Sequence, residues 1–175
     1  MSIYMAKVTP RERAKTMAYG VGLGTIGMAA YHIPPKKNRY IEEAFNVVRN
    51  EALDNIDGLN ESALALTKNN RLSAEQKVFL SRLGVNETLA DIDAKVRALK
   101  DSITDTDTIK NLKQGFADTF DACKKNVVER DDISRKAFRN IKLKNLAWGA
   151  GIGMVTGVVL GVMKAVKEPQ LSYFE

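Results

Sequence analysis

A chain of 175 residues with 27 basic and 21 acidic side chains, net charge +6, is sized for one domain with appendages and suits an acidic partner. Its one cysteine, Cys123, excludes an intramolecular disulfide and a cysteine-built metal cluster, and its one histidine, His32, excludes a multi-histidine metal site. His32 lies beside Pro34-Pro35 and reads as an interfacial or capping side chain; Cys123, at helical spacing from Phe116, Phe120 and Val127, reads as a small buried apolar residue. No catalytic residue, cofactor or metal is expected.

Charge divides the chain into five parts. A basic N-terminal tail (1–15) precedes an apolar, Gly-rich segment (16–35) with no formally charged side chain. A densely charged helical domain (36–144) follows, then a second uncharged apolar segment (145–163) and a C-terminal tail (164–175).

In the first apolar segment, Lys7, Arg11, Arg13 and Lys15 ahead of the apolar run resemble a signal peptide, but the run is long and MAAYHIPP is a poor cleavage site, so an uncleaved anchor is expected. Gly22, Gly24 and Gly27 spell G-x-G-x-x-G. A dinucleotide-binding loop would need a buried strand before these glycines and a full helix after them. RERAKTMAY is a charged, helix-like run, and Pro34-Pro35 stops the chain soon after Gly27. The match is therefore read as accidental. Gly20 and Gly24 instead form one G-x-x-x-G, with Tyr19, Tyr31 and His32 as interfacial tips and Lys15 and Lys36 bracketing the segment.

The central domain reads as helix throughout. Ile41, Phe45, Val48, Ala52 and Ile56 share one face. Asp57-Gly58 is expected to end this helix, with Gly58 as its cap, and a short helix follows with Leu59, Ala63 and Leu66. Ser73 with Gln76 three residues later predicts a capping box, Gly84 the end of that helix, and Asn86 the cap of the next. Leu89, Ile92, Val96, Leu99 and Ile103 give a coiled-coil-like seam. After the turn at Thr104–Thr108 come Ile109, Leu112, Phe116, Phe120, Cys123 and Val127. Asp131 or Asp132 then caps a helix holding Ile133, Phe138 and Ile141, which is expected to run on into the second apolar segment. No alternating β-branched run suggests a sheet.

The second apolar segment places Gly149, Gly153, Gly157 and Gly161 at intervals of four, G-x-x-x-G repeated in register. In water each helical glycine costs about 1 kcal/mol against alanine. In lipid, close backbone approach supplies association energy. Eighteen to twenty residues rise roughly 27–30 Å, near the thickness of a hydrocarbon core. Trp148 marks one interface, and Lys142, Lys144, Lys164 and Lys167 flank the two ends; Lys36, Lys37 and Arg39 follow the first segment. The basic residues on the two sides are nearly balanced, with a slight excess placing the central domain in the cytoplasm.

A helical body ending in a tryptophan and a glycine row resembles the anchors of small bacterial inner-membrane stress proteins, and paired Gly-rich spans resemble the membrane-bending subunits of mitochondrial cristae junctions. Both resemblances cover the apolar segments alone, and no functional residue is carried over from either.

The expected architecture is all-α: two Gly-rich transmembrane helices flanking a central amphipathic hairpin or bundle. The expected function is that of a non-enzymatic integral membrane protein. It self-associates through Gly149, Gly153, Gly157, Gly161, Gly20 and Gly24 as a homo-oligomer, grips anionic lipid with its basic flanks, and presents the central helices to a protein partner as scaffold, adaptor or membrane-shaping subunit. Nucleic acid is not expected, because the basic residues form no recognition stripe interleaved with aromatics. A membrane-permeabilising toxin, effector or lysis factor, and a soluble helical component of a viral or secretion assembly, are the alternatives.

Overall fold

The computed structural model describes residues 10–31, 33–125 and 131–167, excepting the side chains of 164–167. Six helices account for nearly all of them: α1 (Pro10–Ala30), α2 (Lys37–Thr67), α3 (Ala74–Arg82), α4 (Leu89–Thr104), α5 (Thr106–Lys125) and α6 (Asp132–Lys167). There is no strand among the described residues. The chain forms two compact units. One comprises residues 35–138, and the other combines α1 with α6 from residue 139 onward.

In the first of these units α2 is the spine, packed against α3, α4 and α5. It does not end at Gly58. It runs through that residue to Thr67, and the short helix expected around Leu59 is its second half. The glycine is needed for close approach: a Cβ there would lie 2.9 Å from Cζ of Phe79, so α3's ring rests on the bare backbone of α2. The true stop is Asn69, in the left-handed region at φ 52°. Its N–H donates to the Leu66 carbonyl and that of Asn70 to the Ala65 carbonyl, a Schellman closure built on asparagine.

The capping box forms as expected: Ser73 N–H donates to Gln76 Oε1 at 2.8 Å, and Gln76 N–H to Ser73 Oγ at 3.1 Å. Gly84 at φ 64° closes α3, with Val85 N–H donating back to the Leu80 carbonyl. The cap of α4 is Thr88 and not Asn86: its hydroxyl accepts from Asp91 N–H, which places the helix start at Leu89. The expected turn at 104–108 shrinks to Asp105, whose carboxylate accepts from Thr108 N–H at 2.7 Å and starts α5 at once. Asp131 caps α6 through Ser134 N–H at 2.6 Å.

Two apolar centres lie along α2. One gathers Ile56, Leu59, Leu72, Leu80, Ile92 and Val96, with Leu99 and Ile103 of the expected α4 seam packed partly against it. Burying side chains of this size contributes about 1.5–3 kcal/mol each. The other centre surrounds Tyr40, which has no exposed surface and stacks at tilted angles against Phe120 (5.3 Å) and Phe138 (5.0 Å). Here the buried row of α2 is Tyr40, Ala44 and Val47, one position before the expected Ile41, Phe45 and Val48, which are half-buried. Phe45 is instead covered by Lys113 of α5, whose ammonium sits 4.9 Å from the ring centroid while bonding Glu42 at 2.8 Å.

Buried hydroxyls need partners. Tyr40 donates to Cys123 Sγ (3.6 Å), the thiol reaches Ser134 Oγ (3.3 Å), and Ser134 lies 2.7 Å from Tyr40 Oη. Donating in that order round the ring, each group gives once and accepts once. The cluster ties α2, α5 and the start of α6 together. Burial pushes the Tyr40 phenol up to about 12, against the opposing effect of the Ser134 hydrogen bond. Cys123 is therefore a half-buried thiol in a hydrogen-bonded cluster, a polar setting where a buried apolar residue was expected.

Candidate functional site: the Gly-rich helix pair

The other unit is built on glycine. As residue numbers rise along α1 the contacts on α6 fall, so the two helices run antiparallel. A Cβ on Gly20 would overlap the carbonyl of Gly153, and one on Gly24 the carbonyl of Gly149. A Cβ on Gly153 would stand 3.0 Å from the Gly24 Cα, and one on Gly157 2.5 Å from the Thr16 carbonyl oxygen. A Cβ on Gly161 would lie 3.4 Å from Thr16 Cβ. All six glycines singled out from sequence therefore lie on this one seam, and they face each other within a single chain. Gly22, Gly27 and Gly151 meet nothing within 4 Å.

The same arrangement disposes of the nucleotide motif. Gly22, Gly24 and Gly27 are interior residues of α1, with no loop to cradle a phosphate. α1 begins at Pro10, so Arg11, Arg13 and Lys15 are exposed helical residues ahead of the apolar stretch.

Away from the seam the pair is apolar and uncovered. On α6, Trp148 is 68% exposed, Val155 65% and Leu160 59%; on α1, Tyr19, Leu23 and Ile26 are exposed to a similar degree. Beside the seam runs an open groove of about 540 Å³, with the glycines as its floor and Leu23, Ile152 and Leu160 among its walls. The Thr16 hydroxyl donates to the carbonyls of Glu12 and Arg13, and that of Thr156 to the Ile152 carbonyl, so neither threonine offers the groove a free proton.

No protein-family model, no curated protein and no solved structure matches the chain.

Among the described residues one helix, α6, is long and apolar enough to cross a membrane, with a mean hydropathy of 1.8 in its most apolar window. Core helices of soluble proteins and signal sequences share this length and composition; here 17% of the window is buried. The expectation of two such helices is corrected. The uncharged part of α1, residues 16–30, rises roughly 22 Å, short of a hydrocarbon core of ~30 Å. Gly20, Gly22, Gly24 and Gly27 also dilute its hydropathy.

Of the residues expected at a membrane interface, Trp148, Lys15, Lys142 and Lys144 belong to this unit and are exposed. Lys36, Lys37 and Arg39 belong to the α2 unit, where Lys36 is the N-cap of α2 and Arg39 is half-buried. Lys164 and Lys167 lie in the last turn of α6, their side chains outside the described set. His32, Val127, the first nine residues and the C-terminal tail from Glu168 also lie outside it. Sequence reasoning missed Thr16 and Met28, which close the two ends of the seam. The signal for Thr16 was its position four residues before Gly20, in the same row.

Proposed function

We propose that the chain is a non-enzymatic integral membrane protein. In this reading α6 crosses the bilayer, α1 lies along it as far as its uncharged stretch reaches, and residues 35–138 form a helical scaffold, adaptor or membrane-shaping body at the surface. The observation that carries the reading is the α1/α6 pair itself, whose inner face is glycine and whose outer face is exposed Leu, Ile, Val and Trp. Such a pair is poorly built for water. Its glycines forgo helix propensity, and its outer surface far exceeds the scattered apolar residues normal on a soluble protein. In lipid the outer surface is solvated, and close backbone contact supplies the attraction. Trp148 beside the basic Lys142 and Lys144 suits an interface with anionic headgroups.

In this reading the glycine rows pair α1 with α6 of the same chain. Self-association then uses other faces of the pair or the central helices.

Alkaline carbonate extraction of membranes from cells expressing the full chain, combined with thiol-accessibility labelling of Ser2→Cys and Ser172→Cys, tests the reading. Retention in the pellet, with Ser172→Cys labelled from a single side of sealed membranes and Ser2→Cys reporting how far α1 reaches, is expected; release into the supernatant overturns it. Dye release from liposomes by detergent-free protein would move the assignment to a membrane-permeabilising protein.

A further inference from the structure

We infer that the groove between α1 and α6 holds one acyl chain of an anionic glycerophospholipid, with the phosphate at Lys142. The site rests on the membrane reading above and adds a specific ligand to it.

Three properties of the groove select this occupant. The first is its lining: apart from the Tyr19 phenol, apolar side chains and glycine backbone, with the hydroxyl protons of Thr16 and Thr156 already committed to helix carbonyls. A polar ligand would find no donor there from these threonines, whereas a hydrocarbon chain needs none. The second is size. The volume of about 540 Å³ falls in the range of ligand pockets, roughly 300–1,000 Å³. From Gly149 to Leu160 the groove runs about 16 Å along α6, close to the ~15 Å depth of one leaflet, half of the ~30 Å hydrocarbon core.

The third is charge at one end. Lys142 stands two helical turns before Gly149, on the same row of α6 as the groove floor, and is exposed. Lys144 and Arg139 adjoin it, and α6 carries no acidic residue after Asp132. A phosphate leaving the Gly149 end of the groove therefore meets a locally uniform positive field on α6. A second copy of the chain suits the groove less well. Copies inserted in the same direction bring these basic ends level with one another, and Gly20, Gly24, Gly149, Gly153 and Gly157 already meet backbone or side chains of their own partner helix.

The test uses the full chain reconstituted in vesicles of equal phosphatidylglycerol and phosphatidylcholine, re-extracted in mild detergent and examined by native mass spectrometry. Wild type is expected to retain one phosphatidylglycerol per chain. Lys142→Gln should reduce the preference for phosphatidylglycerol about fivefold, the effect of one basic residue at an anionic surface. Thr156→Trp fills the groove and should abolish retention, while Val159→Trp, on the outer face, retains lipid as wild type does. Equal retention of the two lipids by wild type, or unchanged retention by Thr156→Trp, overturns the site while leaving the membrane reading intact. A chain that fails to float with the vesicles overturns both.

Discussion

Gly153→Ala against Gly151→Ala isolates what the seam contributes. The two residues lie two apart on α6, and each substitution adds one methyl and the same helix propensity. At Gly151 the new Cβ meets nothing within 4 Å. At Gly153 it overlaps the Gly20 carbonyl and stands 3.0 Å from the Gly24 Cα. Both obstacles are backbone, so no side chain can swing aside. Restoring an ordinary carbon–carbon distance of about 3.5–4.0 Å needs the helices to part by at least ~0.5–1 Å, a gap that forfeits a quarter to a half of each contact's attraction. Overpacking of this kind costs about 1–3 kcal/mol. Because the propensity gain is common to both variants, that cost is also the expected difference between them, a factor of about 5–150 in the closed-to-open ratio. Spin labels on exposed Ile26 and Ile152 report the separation by pulsed electron resonance in nanodiscs. One narrow distance distribution is expected for wild type and Gly151→Ala, and a longer, broader one for Gly153→Ala. Superimposable distributions for the two alanine variants would refute the seam as the source of helix pairing.

Further outcomes concern the α2 unit. Tyr40→Phe removes two bonds of the Tyr40–Cys123–Ser134 cluster and should cost about 1–3 kcal/mol in urea unfolding near neutral pH. Because burial holds the folded phenol at about 12, above its ordinary value of 10.0, the unfolded chain loses this proton first. Wild-type stability should therefore fall, relative to Tyr40→Phe, by on the order of 2–3 kcal/mol as pH rises from 10 to 12, with no difference in slope below pH 9; parallel curves throughout would remove Tyr40 as the cause. Gly58→Leu should lower the melting temperature by displacing Phe79, at a cost of about 1–3 kcal/mol. Gly115→Ala, where nothing lies within 4 Å, should raise it by up to ~1 kcal/mol in stability; the reverse order would discount the Phe79 contact.

Much of this architecture was legible in the chain because its signals are local. The Ser73–Gln76 box and the Gly84 stop depend on residues a few positions apart and survive folding unchanged; of the α4 seam, Ile92 and Val96 are buried while Leu89 is exposed. The continuity of α6 followed from the run of helix formers after Asp132. What failed depended on distant partners. Gly58 looked like a stop because glycine usually serves that way, yet its real neighbour is Phe79, twenty-one positions on. Asn69, the true stop, was not singled out because asparagine is a weaker marker of the left-handed region. The buried row at the start of α2 slipped by one residue because Tyr40 outweighs Ile41 only once Phe120 and Phe138 stack on it and Ser134 satisfies its hydroxyl. The glycine rows were visible from their spacing alone, but spacing carries no information on whether the facing backbone belongs to the same chain or another. α1 falls short of a span because absence of charge is not hydropathy, which glycine does not supply.

The most direct test of the account is the chain position of the partner helix in the membrane. Thr16 Cβ and a Cβ at Gly161 would be 3.4 Å apart, close to the separation of about 3.5–4.5 Å that a disulfide needs. Thr16→Cys/Gly161→Cys in a Cys123→Ser background, oxidised in carbonate-washed membranes, should run on a non-reducing gel as a monomer of altered mobility that reverts on reduction. A cross-linked dimer with no intrachain product, or no cross-link at all in the membrane pellet, would contradict it.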